Sequence, residues 1–394
     1  MTNLRPIYIF LLLIVLVAVG QMAQTIYIPS IPKIARDLLV CEGSIQCLMA
    51  AYLLCYGISQ LIYGPLSDRI GRRPVILNGM AIFCLGTLLA MFSNSLLLLT
   101  LSCGIQGIGT GVGGVMARTL PRDICNGRAL RRANSLLNMG VLVSPLLAPI
   151  IGSVLSDWFN WRACFSFLLF LSASVTLLVW FYLPETCPAW SITNNSIVDC
   201  YRLLRNKTFN HYLLMLIGSL AGIVSFEASS GILLNNMGLT GQEISILFIT
   251  PLPGAFLGAW YAGKASAPFN ELMWRAVLCC LLASILMWLP AWFSIMKIWT
   301  LILPAILFFF GAGMLFPLAT TGAMEPYPYL AGTSGALVGG LQNIGSGVIA
   351  YCSSLLPQYD QFSLGMIMFS MGMLILVCWL PLSHIFHRRS SETI

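Results

Sequence analysis

The chain has 394 residues, 58% of them hydrophobic and only 8% charged, with twenty Lys and Arg against thirteen Asp and Glu for a net charge of +7. A soluble globular domain is roughly a quarter charged, so this composition excludes a fold that keeps its apolar surface from water unaided. The basic residues are scattered between apolar segments and form no patch with interleaved aromatics, which excludes a nucleic-acid-binding domain.

Apolar runs long enough to cross a hydrocarbon core of about 30 Å predict twelve spans. They lie at 6–32, 44–66, 74–93, 96–120, 133–156, 162–183, 210–234, 243–263, 271–290, 299–322, 333–356 and 362–383. The first run begins like a signal peptide but continues to Ile28 without a cleavage site, so it is expected to stay as a span. Pro145, Pro149, Pro251, Pro253, Pro304 and Pro317 fall inside spans and are expected to bend them without ending them.

Only Lys33, Arg36, Arg162 and Lys297 fall on one side of this topology; the other sixteen basic residues fall on the opposite side. Basic loops stay cytoplasmic, so both termini are expected in the cytoplasm. The polar connection from Pro184 to Thr208 divides the chain. The expected organisation is an all-α integral membrane protein: a six-helix bundle at 1–183, a cytoplasmic linker at 184–209, and a second six-helix bundle at 210–394 with a short tail. Ser135–Gly140 resembles Gly340–Gly345 at an offset of about half the length, a hint of the pseudo-symmetric halves from which alternating-access transporters are built.

Thirteen cysteines would suggest a disulfide frame in a short secreted chain. Here Cys84, Cys103, Cys279, Cys280, Cys352 and Cys378 sit inside apolar runs and read as small packing residues. No spacing suits a metal, and the sequence has no nucleophile elbow or phosphate loop, so neither an enzyme nor a bound cofactor is expected.

The most specific local pattern follows the second span, Gly64-Pro-Leu-Ser-Asp68-Arg69-Ile-Gly71-Arg72-Arg73-Pro74. Gly64 permits close helix approach, Asp68 can accept from an Arg or a helix N-terminus, and Gly71 allows a tight turn. A merely topogenic loop would need the basic residues and nothing more. The pattern resembles the signature loop of the major facilitator superfamily. That resemblance implies a major facilitator fold and a cytoplasmic gate formed by Gly64, Asp68, Arg69, Gly71 and Arg72, with Arg118 at the end of the fourth span as a partner.

The fifth span carries Ser144, Ala148, Pro149 and Gly152, similar to the antiporter motif of that superfamily with small residues in place of several glycines. Pro29-Ser30-Ile31-Pro32 is similar to the first-span pattern of its twelve-helix drug:proton antiporters. Gly20–Pro29, Gly111–Asp123 and Gly311–Pro317 extend that resemblance along the chain. What it implies is a proton-driven exporter of lipophilic small molecules in a bacterial inner membrane, with protons as the coupling ion, lipid around it, no nucleic-acid partner and a monomeric state. One position departs from the pattern: where the drug antiporters carry an Arg three residues before Gln106-Gly107, this chain has Cys103.

Proton coupling needs a titratable group within the bilayer, where acidic residues are costly and functional by default. Glu227, in the seventh span, is the acid that meets this requirement; Glu325 lies near a span end and reads as gate or loop. The structural alternative for Glu227 is a hydrogen bond to Ser225 or Ser229. A greasy cavity with scattered polar handles is expected from Gln21, Gln24, Ile28, Tyr52, Tyr56, Ile217, Phe226, Phe248 and Leu252. A competing class, an uptake transporter for a polar solute, would need several charged or hydrogen-bonding residues at the midplane, and these are sparse.

Overall fold

The computed structural model describes residues 6–124, 144–186, 196–324 and 331–391, and among them all regular structure is helical. The first span is not one helix. Helix α1 (Pro6–Thr25) gives way to a 3-10 turn at Ile28–Ser30 and then to α2 (Ile31–Leu38). Pro29 and Pro32 lack the amide hydrogens needed to carry α1 through, and each sits in the first turn of the next short element, where that loss costs least. The α2 segment buries Ile31, Ile34 and Ala35 and ends at Leu39 with φ +54°.

A 3-10 turn at Glu42–Ile45 leads into α3 (Gln46–Ile70), followed by α4 (Arg72–Met91) and α5 (Leu96–Ile124). The described part of the fifth span, 144–158, forms α6; 133–143, with the Ser135–Gly140 repeat, lies outside the described residues. After α7 (Arg162–Tyr182), the connector contains a short helix, α8 (Ser196–Arg205), which span hunting by hydropathy did not find. Helix α9 (Lys207–Asn236) is N-capped by Asn206, whose side chain accepts from the Phe209 amide at 3.1 Å.

The eighth span is also broken. A capping box of Thr240 and Glu243 starts α10 (Gly241–Ile249), and Thr250-Pro251 separate it from α11 (Leu252–Lys264). Pro251 therefore ends a helix, contrary to the expected bend, because a ring there removes a backbone donor and clashes with the preceding turn. By contrast α13 (Ile298–Met324) runs on through Pro304 and Pro317. Helices α12 (Phe269–Trp292), α14 (Ala331–Ser354) and α15 (Phe362–Ser391) complete the chain.

Ten segments among the described residues are long and apolar enough to cross a membrane, with α1–α2 and α10–α11 each counting as one. The 24-residue α14 and the described part of the fifth span occupy the two remaining positions of the expected twelve. Buried apolar side chains fall mainly into two clusters, one built chiefly from residues 9–183 and joined by Val224, Ala228, Ile232, Phe248 and Ala350, and one from 203–382. The outward faces are greasy as well: Leu85, Phe170, Leu177, Leu278 and Leu282 are exposed. Trp158, Trp292 and Trp299 stand exposed near helix ends, where indoles favour the lipid-water boundary.

The halves meet in two ways. Helices α3 and α14 pack backbone against backbone: a Cβ on Gly57 would lie 2.6 Å from the Gly340 carbonyl and 2.8 Å from the Ile344 amide nitrogen. On the face opposite the 64–74 loop, α9 presses into the α1–α2 break, where a Cβ on Gly231 would sit 3.3 Å from the Ile28 carbonyl.

Candidate functional site: a seam between the halves and a loop that braces one of them

Polar side chains gather where α9 meets the first half. Glu227 is only 6% exposed, and its Oε2 accepts from Gln24 Nε2 of α1 at 3.4 Å. Neither serine considered from the sequence is its partner. Ser229 Oγ instead accepts from Gln46 Nε2 of α3 at 3.2 Å, and the same amide reaches the Ala228 carbonyl at 3.4 Å. Further toward that face, Asn235 donates to Glu42 at 3.0 Å and Asn236 donates to the Gln358 carbonyl at 3.1 Å. At 1.5 Å per residue, Glu227 stands about 14 Å from the Asn236 end of α9, on the side of the helix midpoint nearer that end.

This seam is held by hydrogen bonds from side-chain amides, each worth about 1 kcal/mol net, together with close packing. The antiporter-like stretch lies beside it. Ala148 is fully buried, Gly152 leaves no room for a side chain against the Ile26 carbonyl, and Ser144 is buried. The Pro149 carbonyl accepts from Ser245 of α10 at 3.4 Å, another bond between the halves.

The 64–74 loop is a second polar centre, at the other end of α3. Arg72 is nearly buried, its side chain 6% exposed, and it donates to Ser67 Oγ at 2.6 Å, to Asp68, and to Asp123 Oδ2 of α5 at 3.0 Å. Asp68 is a partner of Arg72, as its chemistry suggested, but it is not the helix cap. That role falls to Glu185, whose carboxylate accepts from the Arg72 amide at 2.8 Å and the Arg73 amide at 3.2 Å at the start of α4. A carboxylate there also meets the positive end of the helix dipole. Gly71 has φ +100°, a conformation that favours glycine, and it lies directly against the Glu185 carboxylate, which a Cβ there would displace.

Asp123, past the membrane-spanning part of α5, has its carboxyl raised above the ordinary range by burial, with the Arg72 hydrogen bond pulling the other way. Arg69 is exposed, and Gly64 faces Ala336 of α14 with room to spare. Arg118 lies in α5, but its side chain is outside the described residues, as is Glu325.

The residues expected to line a greasy cavity are distributed unevenly. Tyr52 and Tyr56 stack at 5.8 Å between ring centres. Tyr52 is buried, donates to the Gly20 carbonyl at 2.7 Å and shares a 2.8 Å bond with Thr110, which ties it between α1 and α5. Phe226 packs edge-on against Phe309 at 5.7 Å inside the second half. Phe248 reaches across into the apolar cluster of the first half, which Ile28 also joins. Ile217 lies over Gly345 of α14, and Leu252 packs at the edge of the second cluster. Gln21 is half-buried beside Gln24 on α1. Cys103 is buried among apolar neighbours.

Sequence reasoning passed over Gln46, Gln60, Asp123 and Glu185. Two of these are glutamines inside an apolar span, a signal available from the sequence; the other two lie at or beyond span ends, and their partners are 51 and 113 residues away.

Two helical halves joined by a polar seam on one face, with a braced loop on the other, define a polytopic membrane transporter. The Major Facilitator Superfamily model matches residues 13–350, and the chain belongs to that superfamily. It is 60% identical to Multidrug resistance protein D of Escherichia coli (strain K12), over 97% of this chain and 98% of that protein. It is 28% identical to the Chloramphenicol resistance protein of Pseudomonas aeruginosa, over 86% of this chain and 82% of that one. The crystal structure of a D-xylose-proton symporter superposes with a TM-score of 0.76 at 15% identity, covering 94% of this chain and 96% of the other, a likeness of fold.

Proposed function

We propose that this protein exports amphipathic, lipophilic small molecules across a bacterial inner membrane by alternating access, in exchange for protons, working as a monomer with both termini in the cytoplasm. The resistance functions in the names of its relatives support export of drug-like compounds, and the sixteen-to-four division of basic residues supports the orientation.

The observation that carries the proton part is Glu227, a buried carboxyl whose hydrogen-bond partner, Gln24, belongs to the other half. A charged carboxylate in a sealed seam loses its water and has one amide donor in exchange, whereas a neutral carboxyl loses far less. Protonation therefore favours the closed seam and deprotonation favours a seam opened to water. A ligand shifts a two-state equilibrium only through such a difference, and here the proton supplies it. Cys103 cannot carry a permanent charge as the Arg of related antiporters does, so Glu227 bears the coupling alone in this scheme.

The test is Glu227→Gln in proteoliposomes loaded with a lipophilic cation under an imposed pH gradient. The variant should bind the cation yet lose the acceleration of export that the gradient gives the wild type. Acceleration equal to that of the wild type would reject the coupling role.

A further inference from the structure

Leu54, Gly57, Leu61 and Gly64 turn one side of α3 toward α14, while Ile58 and Ile62 are exposed on the lipid side. Tyr56 and Gln60, one turn apart, therefore point into the bundle, toward α5. There Gly114, having no side chain, lets both polar ends come up against the helix: a Cβ on it would lie 2.5 Å from Tyr56 Oη and 2.7 Å from Gln60 Nε2. Both polar groups thus converge on one point where α5 offers no side chain. Gln60 is fully buried, and among the described residues neither its amide nitrogen nor its carbonyl oxygen has a hydrogen-bond partner.

Buried polar groups in folded proteins are almost always paired, and leaving both ends of an amide unpaired is costly. Leu would fill the same volume without that cost. At 1.5 Å per residue, Gln60 stands about 21 Å from the Gln46 end of α3 and about 15 Å from the Ile70 end, near the middle of the membrane where transporters of this architecture hold their cargo.

We infer that Gln60, with Tyr56 beside it, is an uncharged handle for an amide or hydroxyl group on an otherwise apolar substrate. An amide side chain both donates and accepts, which matches groups that do the same and gives no advantage to a bare lipophilic cation. The inference rests on the export reading above and deepens it by naming a substrate class: neutral amphiphiles with a compact hydrogen-bonding head.

The experiment compares two probes on the purified full-length protein. Chloramphenicol is neutral and carries an amide and two hydroxyls; tetraphenylphosphonium has no hydrogen-bonding group. Gln60→Leu should unfold without ligand at the same or a higher temperature than the wild type, because an unpaired amide has been removed. Its affinity for chloramphenicol should fall about tenfold relative to its affinity for tetraphenylphosphonium, the scale of one lost hydrogen bond in a dry site. Gly114→Ala, which places a methyl at the convergence point from the opposite helix, should give the same relative loss.

A lower unfolding temperature for Gln60→Leu would reveal a partner within the protein and overturn the handle, as would equal losses for both probes or none. Wild-type protein that exports tetraphenylphosphonium under a pH gradient but binds chloramphenicol no better than Gln60→Leu overturns the handle alone. Selective loss of chloramphenicol binding with no gradient-driven export of either probe upholds the handle and overturns the export reading.

Discussion

Arg72 brings its charge into a nearly closed site, and the two carboxylates that answer it are not equivalent. Asp123 is 11% exposed and Asp68 is 42% exposed. Breaking a buried ion pair costs about 3–5 kcal/mol because the remaining charge stays stranded, whereas an exposed pair one turn apart contributes about 0.5 kcal/mol. Asp123→Ala should therefore lower unfolding stability by about 3 kcal/mol and Asp68→Ala by about 1 kcal/mol or less, read from denaturant midpoints in the same detergent. The reverse order would show that the signature aspartate is the main support of the loop.

At this scale the sequence revealed residue types better than partners. Asp68, Gly71 and Arg72 announced themselves by spacing, but Asp123 and Glu185 come from distant parts of the chain. Glu227 was legible because an acid in an apolar span has few alternatives. Its bond to Gln24 crosses 203 residues of chain and could be seen only once the halves were placed together.

Helices α3 and α14 approach so closely that their contact has no space for side chains at its centre. Gly57 stands over the Gly340 carbonyl, and a Cβ on Gly340 would meet Leu61 Cδ2 at 2.5 Å. Small residues at such crossings let backbone dispersion and Cα–H contacts hold helices together in lipid, where no hydrophobic force favours association. Gly57→Leu should push the helices apart and lower the thermal midpoint markedly, by about 1–3 kcal/mol of overpacking. Gly263→Leu, at a glycine where an added Cβ would meet nothing within 4 Å, should leave the midpoint almost unchanged.

Hydropathy found the spans because length and apolarity are all that a bilayer asks of them. It did not find where spans break. Pro65, Pro304 and Pro317 sit inside continuous helices, while Pro29 and Pro251 stand at breaks. The difference lies in the surroundings: the α1–α2 break accommodates α9, and packing of that kind is invisible in local sequence. Helix α8 was missed for the opposite reason, being too short and polar to register as a span while burying, among its described side chains, only Leu203 fully.

For the whole molecule, alternating access requires that the seam at Gln46 and Ser229 part once per cycle. Gln46→Cys combined with Ser229→Cys, bridged by a short bifunctional thiol reagent, should abolish gradient-driven export, and a reducible bridge should restore it on reduction. Continued export by bridged protein would mean that this face never opens. The chain's other thiols set the control: Cys41 and Cys352 are exposed, so each single variant must be treated with the same reagent.

The Glu185 cap has a consequence for biogenesis. The start of α4 is made early, but the carboxylate that closes it lies 113 residues further along, beyond the end of α7. Synthesis proceeds from the N-terminus, so the loop stays unfinished until all the helices of the first half have been made.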